Sequence, residues 1–120
     1  MKIVYISRTG NVETIVQNLE VNDVVRIETG DETVSENFIL ITYTDGYGDI
    51  PMELEGFLST HNNYIKGVIV SGDTGYGEAY GGAGDAIAEQ YNVPLLYKLE
   101  NEGTDEDIAK IKDILDDFNM

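Results

Sequence analysis

The chain has 120 residues, of which 42% are hydrophobic and 25% are charged, a balance that is typical of a folded domain. It contains no cysteine, which excludes a disulfide framework, a thiolate metal site and a cysteine nucleophile; a single histidine, His61, cannot form a histidine metal cluster. Seven basic residues against 23 acidic ones give a net charge of −16. Because nucleic acids and anionic membranes are bound through basic patches, we expect neither as a partner.

Apolar residues define the predicted elements, since uninterrupted runs favour buried strands and a spacing of three and four residues favours helices. Strands are predicted at residues 2–6, 24–27, 38–43, 67–70 and 94–99, and helices at residues 12–19, 51–60 and 82–91, with a last helix capped by Thr104. Met1-Lys2 leads directly into the first strand, without a signal peptide or membrane span. We therefore expect one cytoplasmic domain over residues 1–120.

Strands that alternate with helices indicate an α/β fold, a parallel sheet with helices on both faces. Five strands suit the doubly wound order 2-1-3-4-5, whose ligand lies outside the carboxyl ends of the strands. Residues 28–37 carry no clear period and are barely long enough for a parallel crossover. We predict a short connection there, without a helix, and we expect His61 to be a surface residue near a helix end.

The junction between the first strand and the first helix contains Ser7-Arg8-Thr9-Gly10-Asn11-Val12. A helix N-terminus has free backbone N–H groups and the positive end of the helix dipole, which together favour a phosphate. Ser7 and Thr9 can add hydroxyl donors, and Gly10 lets the backbone turn and approach a ligand closely. The alternative interpretation is an ordinary strand-to-helix turn with a capping residue.

Two further loops follow the third and fourth strands, and the sheet order places them beside the first loop. The second loop is Thr42-Tyr43-Thr44-Asp45-Gly46-Tyr47-Gly48-Asp49, and the third is Ser71-Gly72-Asp73-Thr74-Gly75-Tyr76-Gly77-Glu78-Ala79-Tyr80-Gly81. Both are rich in tyrosine and glycine, and neither contains a lysine, arginine or histidine that could serve as a base. This composition favours a flat aromatic ligand between the loops over hydrolase or phosphotransfer chemistry. The alternative is that the tyrosines only cover the sheet end.

These residues resemble two related families. The first loop is similar to the phosphate loop of flavodoxins, which holds the phosphate of FMN. The whole chain resembles the NrdI family, small flavodoxin-like proteins associated with class Ib ribonucleotide reductase. The motifs that carry this resemblance are Thr42-Tyr43-Thr44, Gly46-Tyr47-Gly48 with Pro51, Ser71-Gly72 with Gly77, Gln90-Tyr91-x-Val93-Pro94 and Gly103-Thr104.

The resemblance implies a flavodoxin-like fold, FMN as the cofactor and no catalytic side chain or metal, because the chemistry is that of the flavin. Ser7 to Val12 would bind the phosphate, with Arg8 as the only nearby cation. Thr42 to Gly48 would line one side of the ring, and Ser71 to Gly77 the other. The implied cofactor residues are Ser7, Arg8, Thr9, Gly10, Asn11, Val12, Thr42, Tyr43, Thr44, Asp45, Gly46, Tyr47, Gly48, Ser71, Gly72, Asp73, Tyr76 and Gly77.

The resemblance also implies a function. Reduced FMN would react with dioxygen to give superoxide or a related oxidant for the dimanganese site of the reductase small subunit, where a tyrosyl radical is generated. A second partner would be a protein that reduces the flavin. Two other functions stay open: a short flavodoxin that carries single electrons to several acceptors, and a flavin-free binding module.

Two aspartates depart from the family pattern. Asp45 stands where threonine is frequent, and Asp73 stands where asparagine is common. A carboxylate at Asp73 could oppose negative charge on a reduced flavin, or it could point outward and cap the loop backbone. The overall acidity likewise has two interpretations, which are solubility and electrostatic steering toward a basic partner.

Overall fold

The computed structural model describes residues 2–118 and contains a five-stranded parallel sheet in the order β2-β1-β3-β4-β5. The strands are β1 (Lys2–Tyr5), β2 (Val24–Arg26), β3 (Phe38–Tyr43), β4 (Ile65–Gly72) and β5 (Leu95–Glu100). The helices are α1 (Asn11–Leu19), α2 (Met52–His61), α3 (Gly82–Tyr91) and α4 (Asp105–Phe118), with a 3₁₀ segment at Thr74–Ala79. The predicted strand order is confirmed. Among these helices, none has the length and apolar character needed to cross a membrane.

The central strand β3 is buried on both sides of the sheet. Ile39 and Ile41 pack in the cluster that contains the apolar faces of α1 and α4. Phe38 and Leu40 pack in the opposite cluster, with α2 and α3. Successive side chains of a strand point to opposite faces, so a strand between two helical layers must be apolar throughout. This requirement explains the uninterrupted apolar run of β3.

Strand pairing aligns the carboxyl ends of four strands at one edge. Tyr5 of β1 pairs with Ile41 of β3, and Tyr43 of β3 pairs with Ser71 of β4. Gly72 in turn pairs with Glu100 at the end of β5. This last pairing carries β4 to Gly72, beyond its predicted end at Val70. The loops that leave β1, β3, β4 and β5 therefore start side by side.

The connection from β2 to β3 contains no helix within the described residues, as predicted, and it is fastened to α2 by a buried histidine. The N–H of Val34 donates to Nε2 of His61 at 3.1 Å, and Nδ1 of His61 donates to the carbonyl oxygen of Phe57 at 2.9 Å. The imidazole stacks on the Phe57 ring, with 4.0 Å between the ring centroids. The prediction of a surface histidine was therefore wrong, because this ring supplies the acceptor that the buried Val34 N–H requires.

The start of the same connection folds around one carboxylate. The N–H groups of Glu28, Thr29 and Gly30 donate to the carboxylate of Glu32 at 2.9, 3.1 and 2.9 Å. Gly30 has a φ of +94°, and a Cβ there would lie 2.6 Å from the carbonyl oxygen of Glu53. Glycine therefore allows this turn to rest against the first turn of α2.

These bonds make the stability of the protein depend on pH. Partial burial acts to raise the pKa of Glu32, but the donated N–H bonds outweigh it and lower the pKa from 4.5 to about 2. The carboxylate therefore contributes stability that is fully present above about pH 4.5 and is lost as the pH falls toward about 2. We predict that Glu32→Gln lowers the free energy of unfolding at neutral pH by about 1 kcal/mol, a value discounted for solvent screening.

The measurement is urea unfolding of both proteins across this pH range. The difference in free energy of unfolding between the two proteins should shrink as the pH falls from about 4.5 toward about 2. Glu102→Gln, which removes an exposed carboxylate, is the matched control and should behave like the unmodified protein. A stability difference at Glu32 that is constant with pH would contradict the linkage.

Candidate functional site

A cleft opens at the sheet edge where the four strands end. It contains a cavity of about 140 Å³. Its lining combines residues from the loops after β1, β3, β4 and β5, which are Arg8, Thr9, Asn11, Tyr43, Thr44, Ser71, Gly72 and Asn101. The structure thus brings together the three loops that the sequence singled out, and it adds a fourth.

The first loop presents backbone donors to this cleft. Gly10 precedes α1 with a φ of +99°, a left-handed conformation that glycine adopts without strain. The hydroxyl of Ser7 accepts a hydrogen bond from the N–H of Glu13 at 3.1 Å and so satisfies one donor in the first turn of α1. Within the described residues, the N–H groups of 9–12 donate to no protein acceptor. Val12 has its side chain in the core, so it can offer a ligand only its N–H.

The second loop is a tight turn that rests on α3. Asp45 and Asp49 exchange backbone hydrogen bonds of 2.9 and 2.7 Å, and Gly46 within the turn has a φ of +48°. A Cβ on Gly82, at the start of α3, would lie 2.7 Å from the Cα of Gly48. The contact therefore requires glycine at position 82, which lets the backbone of the second loop pack directly on the start of α3.

Two predicted hydroxyls are used inside the protein. Thr42 is fully buried, and its hydroxyl donates to the carbonyl oxygen of Tyr43 at 2.8 Å. It supports the second loop from below and is not among the residues that line the cavity. Ser71 lines the cavity, but its hydroxyl donates to the carbonyl oxygen of Asn101 at 2.5 Å.

The third loop is anchored at its beginning by two carboxylates. Asp73 accepts a hydrogen bond from the N–H of Gly75 at 2.8 Å, so it caps the 3₁₀ segment. Asp73 thus has the capping role that the sequence offered for it, and the effect of its charge on a reduced flavin stays a prediction. Glu100 of β5 accepts from both the N–H and the hydroxyl of Thr74. The polypeptide leaving β4 is thereby fixed to its neighbour strand.

The end of the third loop is anchored by Lys98, two residues before Glu100 on the same strand. Its ammonium group donates to the carbonyl oxygen of Tyr80 and to the carboxylate of Asp85, both at 3.0 Å. The same nitrogen lies 5.5 Å from the centroid of the Tyr80 ring. Tyr80 therefore packs on β5, which is the covering role that the sequence left open for each tyrosine.

The other three tyrosines of the second and third loops lie at the mouth and in the wall of the cleft. Tyr47 and Tyr76, from the second and third loops, are 81% and 46% exposed. Their ring centroids lie 5.3 Å apart in an edge-to-face arrangement. Tyr43 lines the cavity, and its ring lies 4.9 Å below the guanidinium of Arg8. Burial raises the pKa of the Tyr43 phenol, although the charge of Arg8 acts to lower it.

Two arginines stand beside the first loop, and the sequence identified only one. Arg8 forms an ion pair of 3.1 Å with Asp45. Arg26 of β2 donates to the carboxylate of Glu13 at 3.1 Å and to the carbonyl oxygen of Ser7 at 3.3 Å. The prediction that Arg8 is the only nearby cation was wrong, because β2 pairs with β1 and places Arg26 beside the same loop.

Asn101 is a further lining residue that the sequence analysis missed. It follows β5 with a φ of +51°, and its N–H donates to the carbonyl oxygen of Gly72 at 2.9 Å. The predicted topology could have identified this residue, because β5 ends at the same edge of the sheet as β4. The loop after β5 therefore belongs to the site.

The fold and the site together define a flavodoxin-like protein. A short-chain flavodoxin associated with an atypical PDU bacterial microcompartment has the same fold, with a TM-score of 0.75. It is 23% identical, and the match covers 96% of this chain and 93% of that one. Residues 3–113 match the model of the NrdI flavodoxin-like family, and the chain belongs to that family. It is an FMN flavodoxin-like redox protein.

The residues present fit this cofactor. The N–H groups of 9–12 point from a helix N-terminus, where a phosphate is favoured, and donate to no acceptor within the described chain. No second loop of this kind is present in the sequence, which suits the single phosphate of FMN rather than a dinucleotide. The tyrosines at the mouth provide aromatic faces of the kind on which a flat ring stacks.

We predict that Gly10→Val weakens FMN binding. A Cβ at Gly10 meets no protein atom within 4 Å, so the substituent would project into open space beside the loop. A φ of +99° is unfavourable for a branched side chain and should shift the backbone donors. The check is an FMN titration followed by quenching of flavin fluorescence.

Gly56→Val is the matched control, because Gly56 also has no atom within 4 Å of its Cβ position but lies in α2, outside the cleft-lining residues. Both variants should first be shown to fold by circular dichroism. Undiminished FMN affinity in the Gly10 variant would refute the role of this loop.

Proposed function

We propose that this protein, with reduced FMN, supplies superoxide or a related oxidant to the dimanganese small subunit of a class Ib ribonucleotide reductase, for assembly of its tyrosyl radical. The observation that carries the proposal is the match of residues 3–113 to the NrdI flavodoxin-like family. The N–H groups of residues 9–12, which donate to no acceptor within the described chain, and a strongly acidic composition support it.

The cofactor would lie across the three loops. Its phosphate would accept hydrogen bonds from the backbone of Ser7 to Val12. One side of the ring would lie against Thr42 to Gly48, and the other against Ser71 to Gly77, below the exposed pair of Tyr47 and Tyr76. When bound and reduced, FMN supplies electrons to dioxygen, one electron for each superoxide formed.

The protein's own residues would orient the ring and expose it. The second and third loops contain no lysine, arginine or histidine, so no cation within them would retain an anionic product. Asp45 is paired with Arg8, but the carboxylates of Asp49, Asp73 and Glu78 also lie in these loops and would create a negative field at the mouth. A field of that sign favours departure of an anionic oxidant toward a partner that covers the mouth.

The test is to mix reduced protein, dioxygen and manganese-loaded small subunit, and to follow the tyrosyl radical by electron paramagnetic resonance. We expect the radical to form with the protein and not with the same concentration of reduced free FMN. Equal yields from both would contradict the proposal. Electron transfer to several unrelated acceptors, without radical formation, would indicate a general short flavodoxin instead.

We further predict that the association with the small subunit is steered by charge. A protein of net charge −16 attracts a basic surface, and this attraction is screened over a Debye length of about 8 Å at physiological salt. The association rate should therefore fall several-fold as the ionic strength rises from low to physiological values. Stopped-flow mixing over a salt series measures this rate.

A pair of matched variants locates the effect. Asp49→Asn with Glu78→Gln neutralises two exposed carboxylates at the mouth, whereas Asp113→Asn with Asp116→Asn neutralises two on α4. The mouth variant should associate more slowly than the α4 variant. A rate that is indifferent to salt would show that the acidity serves solubility alone.

A further inference from the structure

One ion pair joins the first and second loops across the cleft. The side chain of Arg8 extends from the first loop, and its Nη1 lies 3.1 Å from Oδ1 of Asp45 in the second loop. We infer that Asp45 holds the Arg8 side chain over the cofactor cleft and thereby lowers the affinity for FMN. This inference rests on the proposed placement of the phosphate at the first loop.

The side chain of Arg8 lies between two cavities. Its guanidinium carbon lies 4.9 Å from the centroid of the Tyr43 ring. Arg8 and Tyr43 both line the cavity of about 140 Å³, and both also line a neighbouring cavity of about 310 Å³. Ligand sites usually measure about 300–1,000 Å³, so the smaller cavity alone is too small for a cofactor. Because Arg8 and Tyr43 line both cavities, moving the arginine off the tyrosine would join them.

Arg8 and Arg26 differ in the number of partners that hold their side chains. Arg26 is held by Glu13 and by the carbonyl oxygen of Ser7, and it also lies 4.0 Å from Glu28. The side chain of Arg8 is 57% exposed, and Asp45 is its only carboxylate partner within the described residues. Arg8 is therefore the guanidinium free to turn toward a phosphate, provided that it gives up the carboxylate of Asp45.

The size of the effect follows from the exposure of the pair. A solvent-exposed ion pair shifts an equilibrium by at most about fivefold. Arginine binds a phosphate with the same forked geometry that it uses for a carboxylate, so the two anions compete for one group. Removing the charge of Asp45 should therefore tighten FMN binding, although no contact to the cofactor is added.

The variant is Asp45→Asn, which keeps the oxygen that accepts a hydrogen bond from the N–H of Gly46 at 3.0 Å. We expect its Kd for FMN, measured by fluorescence quenching, to fall about two- to fivefold. Asp49→Asn is the control, because it removes the same charge from the same turn without touching an arginine. Its Kd should change less.

The same aspartate substitutions in an Arg8→Gln background distinguish two effects. One is the release of Arg8 from Asp45, and the other is simple repulsion between the Asp45 carboxylate and the phosphate. There, Asp45→Asn and Asp49→Asn should change the Kd equally, because no arginine is left to release. The inference is overturned if Asp45→Asn tightens binding as much in that background as in the natural chain, or if the two aspartate variants behave alike with Arg8 present. If Gly10→Val binds FMN normally, the placement of the phosphate is wrong, which is a different failure.

Discussion

The in-register end of the parallel sheet is the constraint on which the rest of the structure depends. Neighbouring strands lie about 4.8 Å apart, so strands that stop at the same level deliver their loops to one place. The pairings of Tyr43 with Ser71 and of Gly72 with Glu100 set that level. Backbone hydrogen bonding between the strands therefore sets the position of the cleft. The side chains of the loops determine only what the cleft can bind.

The loops themselves are held by short, specific contacts rather than by a hydrophobic core. The second loop lies on α3 because Gly82 leaves room for its backbone. The third loop is fastened at its two ends by Lys98 and Glu100, which stand on alternate positions of β5. Between these anchors, Tyr47 and Tyr76 remain exposed. This arrangement gives an anchored edge with an open mouth, which suits a ring that, in the proposed function, would react with dioxygen.

The sequence predicted the parts of the molecule that depend on local pattern. The apolar periods predicted the elements, the alternation of five strands with helices indicated the strand order, and the turn residues located three of the four loops. It could not predict His61 as a buried acceptor, because its partner Val34 is distant in the chain. Arg26 was overlooked as a neighbour of the first loop, although the predicted order already placed its strand beside the first strand. The role of Lys98 was hidden for the same reason, since a lysine in a strand carries no local sign of what it will bind.

FMN is proposed to lie among the loops that leave β1, β3 and β4. The most direct test is to titrate the ¹⁵N-labelled protein with FMN and to follow backbone amide shifts by NMR. The largest shifts are expected at residues 9–12, 44–48 and 72–77. The molecule offers an alternative cavity of about 300 Å³ between α1 and α4, lined by residues such as Asn18 and Lys112. Largest shifts around that cavity, with the three loops unchanged, would contradict the account.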